Sequence, residues 1–435
     1  MISVVGANRS DGVIRAWGIR YATAGRFEQA VSEPETSAPL DASRAAPACV
    51  QLIQDPGIIG IDFTAGMPQS EDCLRLSITM PEDVTEGSSL PVIVWIHGGG
   101  YSSGAGDAPA YDPTFLVREQ QIVFVSVTYR LGVLGYCGST TRPWNLGLLD
   151  QREALRWVQR NIAAFGGDPE SVTVMGESAG ADSILHLMVA DDVLDGERPL
   201  FHRAIVQSAP VGLMGNRPGI ETAVGPVVDA LPARGPLGDL PAIDADLRAA
   251  ARRLGRAGRV VYSPEYGHPP LPRVDDAPAR LERAAASLDL LIGTNRREAA
   301  MFLGSPPFRG LRAVPLIGPP LAEAVTRPLT RSMFEKPLSG FVDRCRAGGG
   351  RVTRYRFLGG RSGTLLRAAH IAELPYLFPA PAWEDSAFIA PSAWEDVARA
   401  GTPMRAAWGE FARTGETPVI DAPGLLEFVP APGSP

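Results

Sequence analysis

The chain has 435 residues, of which 45% are hydrophobic and 20% charged, and its formal net charge is −7. That acidic balance, with no basic run, argues against a nucleic-acid partner. No apolar stretch reaches the roughly 18 residues a membrane-spanning helix needs, and the N-terminal "MISVVGANRSDGVIRAWGIR" lacks the basic start and apolar run of a leader, so a cytoplasmic protein without a membrane partner is expected.

In chain order, "LPVIVWIHGGG" (90–100) is an apolar run closed by three glycines, which predicts a buried strand and a tight loop. "QQIVFVSVTYRLG" (120–132) predicts a second buried strand. "GLLDQREALRWVQRNIAAFGGDP" (147–169) then predicts a helix, with Leu148, Ala154, Leu155, Val158 and Ile162 on one face and Gly166, Gly167 and Pro169 ending it. "SVTVMGES" (171–178) predicts a third strand, and "SAGADSILHLMVA" (178–190) a helix leaving it directly. "FHRAIVQSAP" (201–210) and "LDLLIGTN" (288–295) predict further strands. Alternating strands and helices imply a mostly parallel central sheet with helices on both faces. Residues 209–287, rich in Pro, Ala, Gly and Arg with helical pieces such as "DADLRAAARRLGRA", are expected to form a helical cap or insertion on a single domain spanning 1–435. The C-terminal "VIDAPGLLEFVPAPGSP" is expected to be frayed.

The pattern G-x-S-x-G occurs twice, at Gly100–Gly104 and at Gly176–Gly180. A nucleophile elbow needs a strand before its serine and a helix after it, so that the sharp turn exposes Oγ. Only Ser178 has that context. Ser102 and Ser103 follow a glycine loop and read as loop or pocket-lining residues. The glycine loop suits a different task. Its backbone N–H groups, unobstructed by side chains, can join that of Ala179 to hold a developing oxyanion.

The partners of such a serine follow it in the order acid, then histidine. Of the histidines, His97 precedes the serine and is expected to orient the loop. His186 and His202 read as packed or surface residues, leaving His268 and His370. Glu298 runs off the 288–295 strand in "LDLLIGTNRREAAMFL", the place for an acid, and only His370 then lies beyond it. The expected roles are nucleophile for Ser178, general base and acid for His370, and orienting acid for Glu298. A histidine near its ordinary pKa of about 6.5 would suit this work. Tyr101, Phe302 and Trp144 are candidates for an apolar substrate pocket. Cys49, Cys73, Cys137 and Cys345 form no C-x-x-C pair, and with no metal motif the chain is expected to need neither metal nor cofactor. Reduced, buried thiols are expected.

"WGIRYA", "EDCLRLSITMP", "WIHGGGYSSG", "TYRLGVLGY" and "NLGLLDQREALRWVQRNIAAFGGDPESVTVMGESAGA" occur in one order with "GTNRREAAMFL", "AAHIAELPYLF" and "WGEFARTGETP". In these segments, which span most of the chain, the sequence resembles the type B carboxylesterase family, which includes bacterial esterases and the cholinesterases. The resemblance implies an α/β-hydrolase fold and ester hydrolysis through an acyl-enzyme. It puts the family's triad on Ser178, Glu298 and His370 and its oxyanion donors on Gly99, Gly100 and Ala179. Cys49 and Cys73 match a cysteine pair that is bridged in secreted members, so a disulfide is implied as an option. Thr128 stands where the family usually has asparagine, "YATAGRFEQA" replaces a proline-rich element, and a C-terminal "WPxY" segment is missing. The expected partner is a small-molecule ester or acyl substrate; oligomeric state stays open. A pathway-specific relative acting on a carbamate, thioester or natural-product acyl group is the alternative. A non-catalytic binding member is disfavoured because every triad and oxyanion position is filled.

Overall fold

The computed structural model describes residues 4–34, 38–53, 59–85, 87–211, 217–255, 257–304, 318–359, 366–418 and 422–429. Its main sheet has ten strands. They are β1 (Asn8–Ser10), β2 (Val13–Arg20), β3 (Arg75–Pro81), β4 (Leu90–Ile96), β5 (Val123–Val127), β6 (Gly167–Glu177), β7 (Arg203–Gln207), β8 (Asp289–Asn295), β9 (Arg351–Phe357) and β10 (Leu426–Val429). The order across the sheet is β10-β9-β8-β7-β6-β4-β5-β3-β2-β1. Strands β4 to β9 run parallel, while β1 to β3 and β10 pair antiparallel at the two edges.

Burial on both faces explains why the central strands read as unbroken apolar runs. In β4, Val92, Val94 and Ile96 pack into one core, and Ile93 and Trp95 pack into the other. The helix Leu146–Asn161 buries the expected face and passes through a 3-10 turn to Gly166, whose left-handed conformation ends it. Between 209 and 287 the described residues include the helices Ile220–Asp229, Leu240–Arg252 and Ala277–Ala285. Val224, Val228 and Leu247 from these helices join the first core.

The C-terminus departs from expectation. Residues 426–429 are not frayed but form β10, pairing with Arg354–Phe357 of β9. The backbone hydrogen bonds of an edge strand hold a segment that its own composition would not order. The remainder of that segment, at 419–421 and 430–435, lies outside the described residues. Cys49 and Cys73 are buried free thiols, and the Cys49 sulfur accepts the Leu131 N–H at 3.3 Å.

The chain steps from β4 to β5 on one side, then crosses to β6 on the other side of β4. In a parallel sheet such a reversal opens a crevice at the C-terminal strand ends, where loops can hold a ligand. The loops after β4 and β6 meet there.

Candidate active site

Ser178 lies at that crevice, between β6 and the helix Ala179–Leu187, with φ 55° and ψ −121°. This backbone conformation is costly for a side-chain-bearing residue. The tight turn holds because its neighbours are glycines. A Cβ on Gly180 would stand 1.9 Å from the Ile96 carbonyl oxygen. The Ser178 N–H is fixed by the Gln207 carbonyl at 2.9 Å.

Glu298 follows β8 by three residues, and His370 lies between β9 and the short helix Leu374–Leu377. The expected irregular segment around His370 thus closes into a helical turn. His370 Nε2 is 2.7 Å from Ser178 Oγ, and its Nδ1 is 2.7 Å from Glu298 Oε2. Glu298 Oε1 accepts the Asn295 N–H at 2.7 Å, and the His370 N–H reaches the Glu298 carbonyl at 3.2 Å. The three residues picked from the sequence are brought into one hydrogen-bonded line.

Three glutamates surround the imidazole. Glu177 Oε1 stands 3.2 Å from His370 Nε2 but forms no hydrogen bond, and its side chain is buried. Glu373 accepts from the Asn295 amide and from Gln207 Nε2, the latter at 3.3 Å. Burial opposes charge on His370, but Glu177, Glu298 and Glu373 outweigh it and push the imidazole up to about 9. Burial drives the Glu177 carboxyl well above the usual range, helped by Glu373 and Glu298 and resisted by His370. Burial and the charge of Glu298 raise Glu373 to about 7 against the Asn295 hydrogen bond. The ordinary histidine value expected from the sequence is therefore replaced by a raised one.

After β4, Gly99 and Gly100 take φ 110° and 62°. Their N–H groups donate to no acceptor among the described residues, while the Gly99 carbonyl accepts the Ser102 and Ser103 N–H groups at 3.1 Å. Ala179 is the first residue of its helix, so its N–H has no partner within that helix. His97 is buried against Tyr129, with Nδ1 2.8 Å from the Gly98 carbonyl oxygen. Burial pushes it down to about 4 against that contact, which suits a neutral, loop-orienting side chain. Thr128, in place of the family's asparagine, accepts the Gly106 N–H at 3.0 Å.

A cavity of about 380 Å³ opens over Ser178 and His370. Ser102, Ser103, Phe302, Met301, Phe334 and Pro210 are among its lining residues. Tyr101 is not. Its ring packs on Tyr136 at 4.4 Å and its hydroxyl donates to Asp182 at 2.5 Å. With φ 60°, the backbone turns that side chain into the core, correcting its assignment to the pocket. Trp144 likewise packs against His268, at 5.6 Å.

Sequence reasoning missed Glu177, Glu373, Asn295 and Phe334. Glu177 sits inside the G-x-S-x-G segment, so its position was visible but its approach to the imidazole was not. Phe334 comes from a π-helical turn, Arg331–Glu335, and packs against His370 with ring centroids 5.3 Å apart and planes tilted by 46°.

A family profile described as "Carboxylesterase family" matches residues 4–216. A probable N-octanoylanthranilate hydrolase of Rhodococcus erythropolis is 38% identical over 410 residues, covering 92% of this chain and 88% of that protein. The para-nitrobenzyl esterase of Bacillus subtilis (strain 168) is 31% identical over 451 residues, covering 96% and 90%. A solved structure of a PNB esterase superposes with a TM-score of 0.76 at 26% identity, covering 98% of this chain and 96% of that one. Fold and relatives together define a carboxylic ester hydrolase of the α/β-hydrolase class. The chain belongs to the type B carboxylesterase family.

Proposed function

We propose that the chain hydrolyses carboxylic esters through an acyl-enzyme on Ser178. The Ser178 oxygen attacks the ester carbonyl carbon as its proton passes to His370 Nε2. The carbonyl electron pair moves onto oxygen, where the N–H groups of Gly99, Gly100 and Ala179 receive it. The intermediate collapses, and the departing alkoxide takes the proton from Nε2. Water then repeats the sequence on the acyl-enzyme, releasing the acid and restoring the serine. Glu298 accepts the Nδ1 proton's hydrogen bond throughout, fixing the tautomer and stabilising the imidazolium.

The single observation carrying this reading is the Ser178–His370–Glu298 line, with both side-chain contacts at 2.7 Å. The apolar lining from Met301, Phe302, Phe334 and Pro210 favours an ester with hydrocarbon on at least one side. We read the helices at 209–287 as a cap on a single domain, since Pro210, at the start of that span, reaches the pocket wall. An aryl phosphonate should leave one adduct, located on Ser178 by peptide mass spectrometry and absent from Ser178→Ala. A folded protein that takes up no adduct would end the proposal.

A second reading, cleavage of an N-acyl arylamine, is favoured by the name of the Rhodococcus relative. The same acyl-enzyme would form, with an amine leaving in place of an alcohol. Comparing kcat/KM for para-nitrophenyl octanoate and N-octanoylanthranilate separates the two.

A further inference from the structure

A second cavity, of about 370 Å³, lies beside the catalytic pocket and, among the described residues, shares only Tyr111 with its lining. Its floor is one face of β2, β3 and β5. Arg15 pairs with Thr79 across β2 and β3, and Ser77 with Ser126 across β3 and β5, so their side chains share that face. A covered sheet face is ordinarily apolar, and this polar group is a departure that calls for polar partners.

Those partners are only partly supplied by the protein. Arg15 reaches Asp112 and Thr114 through Nη2, while its Nε, shielded from the cavity, has no hydrogen-bond partner among the described residues. Asp107 accepts the Ser77 hydroxyl and the Ala46 N–H through Oδ2, each at 2.7 Å. Among the described residues its Oδ1 has no hydrogen-bond partner, and neither have the hydroxyls of Thr79 and Ser126. All three residues line the cavity. The lining carries two carboxylates, Asp107 and Asp112, against the one guanidinium of Arg15. Trp17 and Tyr111 add aromatic walls.

We propose that this cavity is a second, non-catalytic binding site for a small organic ammonium ion. An ammonium group carries donors for Asp107 Oδ1 and the two hydroxyls, and its charge answers the carboxylate that Arg15 does not pair. The aromatic and proline-lined walls receive the hydrocarbon body. An anion would meet two carboxylates. Burial raises the Asp107 carboxyl to about 6, against the Ser77 and Ala46 hydrogen bonds and the charge of Arg15. A bound cation favours the ionised carboxylate, so binding near pH 6 releases a proton and binding at pH 8 does not.

The test is isothermal titration of benzylammonium, with benzyl alcohol as the neutral control, into the native protein. Saturable benzylammonium binding without benzyl alcohol binding is expected. Asp107→Asn should weaken it at least tenfold, and so should Ala382→Trp, which fills the cavity rim from an exposed position. Both variants should keep their hydrolysis rate on an aryl ester within twofold, which also shows that they fold. At pH 6 the measured heat should depend on buffer ionisation. No saturable binding up to about 10 mM would overturn the proposal. So would binding that both variants leave unchanged, or that simply competes with substrate, because either places the amine elsewhere.

Discussion

In the proposed mechanism His370 accepts the Ser178 proton only when its imidazole is neutral. Its environment raises the folded-state pKa, so more of the enzyme is protonated and idle at neutral pH than an ordinary histidine would allow. The sign is definite: kcat/KM should climb with pH, with a midpoint above 6.5 and toward 9, when followed with an aryl ester between pH 5.5 and 10. A midpoint at or below 6.5 would mean the glutamates do not act on the imidazole as their positions imply. Ser178, Glu298 and His370 could be nominated from the sequence because strand context and chain order restrict the choices. Glu177 and Glu373 could not. Their effect depends on approach through space, with Glu177 contributed by β6 and Glu373 by the turn after His370. Tyr101 was misread because a residue following three glycines looks like a loop residue, whereas its positive φ sends the ring inward.

Among the elements, the π-helical turn at Arg331–Glu335 has the most direct bearing on the site. One widened turn between the helices Gly318–Thr330 and Lys336–Ala347 accompanies the placement of Phe334 against His370. Such turns recur at functional sites. Phe334→Ala removes an aromatic contact worth about 0.5–1.5 kcal/mol, and kcat on a para-nitrophenyl ester should fall by up to about tenfold. A lower Tm with kcat unchanged would assign the ring to packing alone. Hydropathy could not announce this turn, because a π-turn differs from an α-helix by one residue of register. The edge strand β10 was equally hidden, since its order comes from pairing with β9. The central strands, buried on both faces, were the easiest elements to read.

At the scale of the molecule, the parallel arrangement sets the glycine loop, Ser178 and Glu298 just beyond the ends of β4, β6 and β8, with His370 supplied from beyond β9. The mostly parallel sheet was legible from alternating strands and helices. The antiparallel strands before β4 were not, because β2 carries Gly18 and the half-buried Arg15 and Arg20, which blur its alternation. The region matched by the family profile, residues 4–216, holds Ser178 and the glycine loop but neither Glu298 nor His370.

The Ser178–His370 contact joins residues 192 positions apart, and the His370–Glu298 contact joins residues 72 apart. Under the proposed mechanism, turnover is a property of the finished topology and of no intermediate lacking β8 or β9. Loop closure over such separations is slow compared with local structure formation. In refolding from urea, tryptophan fluorescence should return before hydrolysis, with the lag measuring the time taken to bring the last strands home. Recovery of both signals together would instead mark the sheet as forming in a single cooperative event. In either case, the rate of substrate cleavage serves as a clock for the end of folding.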